Sequence, residues 1–250
     1  MNLGEYPKLT KAPIKEALID LRVKLPSDFD VKKIDSIYEK VNEKYPEKQE
    51  QKHSQLHFEL KPGSELVQSV PLKITGYRYI SKNKNEIFQA RLDGFTYNRL
   101  PPYLSWEEFR NEANRLWLLY KEATLPETIT RVALRYINNL NIPMPVIDFA
   151  DYLAAPPVLP EGLPQGVNSF LIRLNVHVPE LEANAIITQA LEPMPVEMSK
   201  LPVILDIDVI KERTAGIEER EAWNLLEKMR NFKNQIFFGF ITEKLKEIYI

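Results

Sequence analysis

The sequence predicts an α+β protein of two tandem similar halves. Each half runs strand, helix, three antiparallel strands and a long helix, in a helix-grip or TBP-like layout. Three observations carry this. Apolar and polar residues alternate over several short stretches, the period of a strand with one buried face. Two long stretches place apolar residues on one helical stripe, and each follows a group of strands. Short matches also recur in order. Ile74-Thr75 and Ile187-Thr188 lie 113 residues apart (187 − 74), as do Leu92-Asp93 and Leu205-Asp206 (205 − 92), while Pro26/Pro143 and Trp106/Trp223 lie 117 apart (143 − 26, 223 − 106). The halves divide at 1–125 and 126–250 and are expected to pack as one continuous unit.

The first half opens with a strand from Ala17 to Leu25, alternating from Leu21 onward and ended by Pro26 and Ser27. Val31, Ile34, Tyr38, Val41 and Tyr45 fall at helical spacing until Pro46, which cannot donate a helical hydrogen bond. The charged stretch Glu47 to Lys52 is expected as a loop or an extended edge. Gln55 to Lys61 sets Leu56, Phe58 and Leu60 against His57, Glu59 and Lys61, a strand pattern. Leu72 to Ile80 and Glu86 to Tyr97 flank Lys82-Asn83-Lys84-Asn85, a turn composition, and so predict a hairpin. Leu100-Pro101-Pro102-Tyr103 breaks the pattern. Ser105 stands three residues before Glu108, the capping-box spacing, and opens a helix with Trp106, Phe109, Ala113, Leu116, Trp117 and Tyr120 on one stripe.

The second half opens with a strand from Thr128 to Ile142, ended by Pro143 and Pro145. A short helix over Ile147 to Leu153 and a proline-rich loop from Ala155 to Gly166 follow. Strands are expected at Ser169 to Val178, Ala185 to Leu191 and Val203 to Ile210. Glu218 to Lys233 is a helix that continues toward the end of the chain unless Gly239 interrupts it.

Composition narrows the function classes. The chain has 250 residues and a net charge of -2, which offers no bulk attraction to nucleic acid or an anionic membrane. Cysteine is absent, which removes disulfides, thiolate metal sites and thiol nucleophiles and fits a reducing compartment. Met1 to Pro13 lacks the apolar core of a secretory leader, and no stretch reaches the ~20 apolar residues of a membrane span. A cytoplasmic location is expected. With only 8 glycines, few backbone sites are suited to cradling phosphate.

Familiar catalytic signatures are missing: no phosphate-binding or dinucleotide-binding glycine loop, no G-x-S-x-G elbow and no H-E-x-x-H. His53 and His57, four apart in extended chain, would lie about 13 Å apart, too far for one metal. They and His177 fit strand faces better. The stronger signal is charge set within apolar strands. Arg22 and Lys24 share a face, as do Arg91 and Asp93, Arg131 and Arg135, Arg173 and His177, and Asp206 and Asp208. Such residues can simply be the wet face of a half-exposed sheet. Lining an interior, they could hold a polyanion, with Asp206 and Asp208 on Mg²⁺, the logic of triphosphate-tunnel hydrolases. The first-strand glutamates of those enzymes are missing; Glu16, Asp20, Arg22 and Lys24 are a loose echo. Candidate ligand-binding residues are therefore Arg22, Lys24, Arg91, Asp93, Arg135, Arg173, Asp206 and Asp208. Tyr77, Tyr79, Phe88, Phe95 and Tyr97 interleave with arginines, a mixture that serves base stacking or, more plainly, hairpin packing.

Several stretches together resemble a known family: Lys11-Ala12-Pro13-Ile14 through Asp20, Arg91-Leu92-Asp93-Gly94-Phe95, Leu100-Pro101-Pro102-Tyr103 followed by Trp106, Leu134-Arg135-Tyr136-Ile137-Asn138, and the closing Phe237-Phe238 helix. They are similar to a sporadically distributed family of uncharacterised prokaryotic proteins of this length. The resemblance covers nearly the whole chain and implies one shared architecture with patchy inheritance, which suits accessory or defence-linked roles. It carries no catalytic residues. The expected function is a cytoplasmic binding or regulatory protein without a cofactor, acting as partner of a toxin or defence effector or as a homo-oligomer. Neither nucleic acid nor membrane is an expected partner. The alternative is a metal-dependent phosphohydrolase acting on a polyphosphate or nucleotide in a charged tunnel, with Mg²⁺ as its cofactor.

Overall fold

Among the described residues, alternation of apolar and polar residues becomes nine strands, all antiparallel, in one sheet. The structure, a computed structural model, describes residues 6–53, 73–146, 148–191 and 199–250. Strand β1 (Ile14–Lys24) leads into two short helices, α1 (Lys32–Asp35) and α2 (Ile37–Val41). Strands β2 (Glu47–His53), β3 (Lys73–Ile80), β4 (Glu86–Arg91) and β5 (Gly94–Arg99) precede the long helix α3 (Trp106–Thr124). Then come β6 (Thr128–Pro143), β7 (Phe170–Val178), β8 (Ala183–Leu191), β9 (Lys200–Ile217), helix α4 (Glu219–Phe240) and the short α5 (Glu243–Lys246). The strand order is β2-β3-β4-β5-β1-β6-β9-β8-β7. The central strand is thus β1, with four strands on either side, and across its pairing with β6 Asp20 stands opposite Ala133.

The long helices lie on one face of this sheet, and period-two alternation decides what they cover. Ala17, Ile19 and Leu21 of β1, Val132, Leu134 and Tyr136 of β6, and Leu205, Ile207 and Val209 of β9 are buried there. The apolar stripe of α3 meets them as its spacing predicts: Trp117 packs on Phe95 and Phe109 on Tyr97. Ser105 caps α3 by accepting the Glu108 N–H at 3.1 Å. Leu125, in left-handed backbone at φ 45, ends it ahead of Pro126. Helices α3 and α4 are joined by indole bonds, from Trp106 to Glu227 at 2.8 Å and from Trp117 to Glu219 at 2.9 Å. The hairpin aromatics Tyr79, Phe88, Phe95 and Tyr97 lie in this core, so they pack rather than face a base.

Several elements differ from the sequence reading. Glu86 to Tyr97 is two strands, β4 and β5, folded back at Leu92-Asp93-Gly94. Gly94 sits at φ +150, and a Cβ there would lie 2.3 Å from the Leu21 carbonyl oxygen, so only glycine lets this turn approach β1. The charged stretch Glu47 to Lys52 agrees with its extended-edge alternative, as strand β2 at the end of the sheet. The helix over Val31 to Tyr45 is split into α1 and α2, and Phe149–Asp151 forms a single 3-10 turn. Helix α4 ends at Phe240 because Ile241 turns extended and bridges to Leu153. The strand predicted over Gln55 to Lys61 lies outside the described residues. No helix among those described is long and apolar enough to cross a membrane.

Candidate functional site

The face of the sheet away from the long helices collects the charged strand residues. It draws on Glu16, Asp20 and Arg22 of β1, Arg91 of β4, Thr96 and Asn98 of β5, Arg131 and Arg135 of β6, and Asp206 and Asp208 of β9. Direct cross-strand pairing places Asp20 between Thr96 and Ala133, Arg22 between Gly94 and Arg131, and Asp208 between Arg135 and Ile186. Residues in register share a face, so this set is fixed by backbone pairing alone.

Asp20, only 5% exposed, is the hub. It accepts from Arg22 Nε at 3.0 Å, Arg91 Nη2 at 3.1 Å and Thr96 Oγ1 at 2.7 Å, and also from Arg131. Asp93, in the β4–β5 turn, takes Arg91 Nε at 3.0 Å and a second bond from Arg22. Two strands away, Arg135 grips Asp206 with both arms of its guanidinium, at 2.8 and 2.6 Å. Such bidentate pairing is geometrically exacting and stronger than a single neutral bond. Asp208, beside this pair, has one carboxyl oxygen buried without a partner among the described residues. Burial pushes its carboxyl up to about 6, against the pull of Arg131 and Arg135.

Six of the eight residues named from the sequence therefore fall into two neighbouring groups: Arg22, Arg91 and Asp93 around Asp20, and Arg135, Asp206 and Asp208 on β6 and β9. Two do not. Lys24 sits at the end of β1, paired with Glu127 at 2.6 Å. Arg173 lies opposite Thr188 on β7, outboard of both groups. His177 is exposed on the same edge strand, with Nδ1 3.4 Å from Asn184 Oδ1. Asp20 and Arg131 were the residues underrated by sequence. The signal for Asp20 was a lone acid wedged between Ile19 and Leu21 within an apolar strand.

Chemically, this face neutralises itself. The acids take up the guanidinium groups of Arg22, Arg91, Arg131 and Arg135, which leaves little free positive charge for a polyanion. Asp206 gives both oxygens to Arg135, while Asp208 keeps a buried oxygen with no partner among the described residues. The strand order ends at β2 and β7, so among the described residues the sheet is open rather than closed into a tunnel.

The two open edges are not alike. β2 carries Glu47, Lys48, Glu50 and Lys52 within seven residues. β7 pairs with β8 along one side and exposes Leu171 (73%), Leu174 (43%) and Val176 (40%). No protein-family profile matches the sequence, and no curated protein matches it.

Proposed function

We propose that this chain is an intracellular, non-catalytic binding protein built from two like halves, and that a protein partner adds a strand along the free edge of β7. The observation that carries the reading is the contrast between the edges. Charged side chains on an edge strand deter pairing, and β2 is guarded in this way. β7 has nine residues, a single formal charge at Arg173, no proline, and exposed apolar side chains on both faces. An extended segment laid beside it gains main-chain hydrogen bonds from the edge and pockets from alternate side chains, the mode of strand addition. The patchy inheritance implied by the family resemblance suits a toxin or defence effector as that partner.

The like halves are supported by register. One offset, 113, relates Arg22 to Arg135 and Asp93 to Asp206 (135 − 22, 206 − 93), and so matches the Arg22–Asp93 ion pair with the Arg135–Asp206 ion pair, although Asp93 lies in a turn and Asp206 within β9. It also relates the first residues of α3 and α4 (219 − 106) and the two central residues Asp20 and Ala133 (133 − 20), which face each other across β1 and β6. A two-fold axis between β1 and β6 requires a pair of that kind. The tryptophans, 117 apart, are out of step with the helix starts by about one turn. The phosphohydrolase reading is served less well, because three of its four arginines, Arg22, Arg91 and Arg135, are already paired with carboxylates.

The test is co-purification of the full chain from its native host beside a Leu174→Lys/Val176→Lys variant, with circular dichroism as the check on folding. Support requires a stoichiometric partner, or a second copy of the chain, that the variant loses and that rebinds as purified protein. A wild-type chain that stays alone, or a partner the variant keeps, overturns strand addition at β7.

A further inference from the structure

On the helix side of the molecule, remote from the β7 edge and independent of it, the start of α3 and the later turns of α4 enclose a cleft of about 350 Å³. That lies at the small end of the range for ligand pockets. Lys233 projects into it from the buried stripe of α4, which otherwise runs Leu226, Met229 and Phe237. The side chain is 9% exposed, and its Nζ sits 4.0 Å from the centroid of the Tyr136 ring. It makes no hydrogen bond or ion pair among the described residues. Lysines this buried are ordinarily paired, because an unpaired ammonium out of water is costly.

Two further donors converge on the same space. Arg230, one turn earlier on α4, rests its guanidinium 5.7 Å from the Trp106 ring centroid and has no carboxylate partner among the described residues. The nearby Glu227 is taken by Arg110 at 2.8 Å. Helix α3, 19 residues long, begins at the cleft. The Ser105 side chain accepts the Glu108 N–H, while the N–H groups of Trp106 and Glu107 have no acceptor within the described structure. A helix start favours an anion through these free N–H groups and the helix dipole. Glu107 and Lys8, also on the lining, oppose each other in charge. Asn138 and Asn234 also reach the lining, and Leu9, Leu104, Phe237 and Phe238 supply apolar wall, with Phe238 stacked on Tyr6 at 4.6 Å.

We propose that this cleft binds a small organic acid, its carboxylate between Lys233, Arg230 and the start of α3 and its aromatic or aliphatic body against Phe237, Phe238 and Leu104. Burial, aided by Arg230, pushes the Lys233 ammonium down to about 7, and the carboxylate supplies the counter-ion it lacks. The offset that relates the halves pairs Lys233 with Tyr120 (233 − 120), whose hydroxyl is already bonded to the Arg91 carbonyl at 2.8 Å. The unpaired amine is therefore a feature of the second half alone.

Calorimetric titration of the full chain with phenylacetate, phenylacetamide and inorganic phosphate tests this. The expected result is saturable binding of phenylacetate, weaker binding of the amide and of phosphate, and a loss on the order of 10-fold to 100-fold in Lys233→Met, the worth of one charge-assisted hydrogen bond. Met fills the apolar stripe without a buried charge, so this variant is expected to fold; Arg230→Gln is a second variant with a smaller loss in the same direction. The proposal is overturned if the wild-type chain binds no phenylacetate, if the amide or phosphate binds as well as the acid, or if Lys233→Met binds like the wild type.

Discussion

Asp208 holds a carboxyl group partly out of water with one oxygen unbonded, and pH exposes what that costs. Its folded value is about 6, above the 3.8 of a free aspartate. Between those values the folded chain binds more protons than the unfolded one, so this residue's contribution to stability falls as pH rises through that window and stays low above it. A tenfold difference in proton affinity between the two states is worth about 1.4 kcal/mol. Asn mimics the protonated acid. Asp208→Asn should therefore raise stability by about 1–3 kcal/mol at pH 8 and change it little at pH 3.5, read as denaturant midpoints. An equal change at both pH values would show that the carboxylate carries no burial penalty. Residues of this kind were partly legible in the sequence. Period two put Arg135, Asp206 and Asp208 on shared faces. The register that makes Asp20 the hub is a long-range fact that no local pattern contains. Lys233 was missed because a lysine on an amphipathic helix suggests the wet face, although its spacing from Met229 and Phe237 places it on the buried stripe.

At the scale of elements, the turn after β4 shows why one predicted strand became two. Alternation continues through Leu92-Asp93-Gly94, and nothing local marks the reversal except the glycine. In the fold, Gly94 lies at φ +150 with the Leu21 carbonyl oxygen 2.3 Å from where a Cβ would be. Gly94→Ala should cost about 2–4 kcal/mol, combining backbone strain with overpacking against β1. Gly239→Ala, in the exposed last turn of α4 with nothing within 4 Å of its Cβ, should be neutral or stabilise by up to about 1 kcal/mol. Thermal unfolding of the two variants separates them, and similar midpoints would mean that β5 can retreat from β1 without loss. The long helices were legible because their caps and stripes are local. Helix α3 begins at its predicted Ser105 cap. The end of α4 was not legible, since Ile241 leaves the helix to pair with Leu153, a partner 88 residues earlier (241 − 153).

For the whole molecule, the decisive surface is the seam between β1 and β6. All 11 residues of β1 lie in a strand that needs β5 on one side and β6 on the other. Residues 1–125 alone would leave the β6 side of β1 unpaired and strip Trp117 and Lys121 of their common partner Glu219. Two such fragments cannot simply replace the missing half with each other. A symmetric antiparallel pairing of two β1 strands centred where Asp20 now faces Ala133 would set Asp20 opposite a second Asp20, and like charges directly opposed destabilise a sheet. Residues 126–250 bring Ala133 to that position and Arg131 as a further donor to Asp20, so residues 1–125 are directed to that segment rather than to a second copy of themselves. Residues 1–125 and 126–250, expressed as separate chains, should therefore be unfolded or aggregated singly and should form a folded one-to-one complex when combined. Sedimentation and circular dichroism on each fragment and on the mixture read this out. A fragment of 1–125 that unfolds cooperatively as a monomer, or pairs as readily with itself as with 126–250, would show that the seam neither completes the core nor selects its partner.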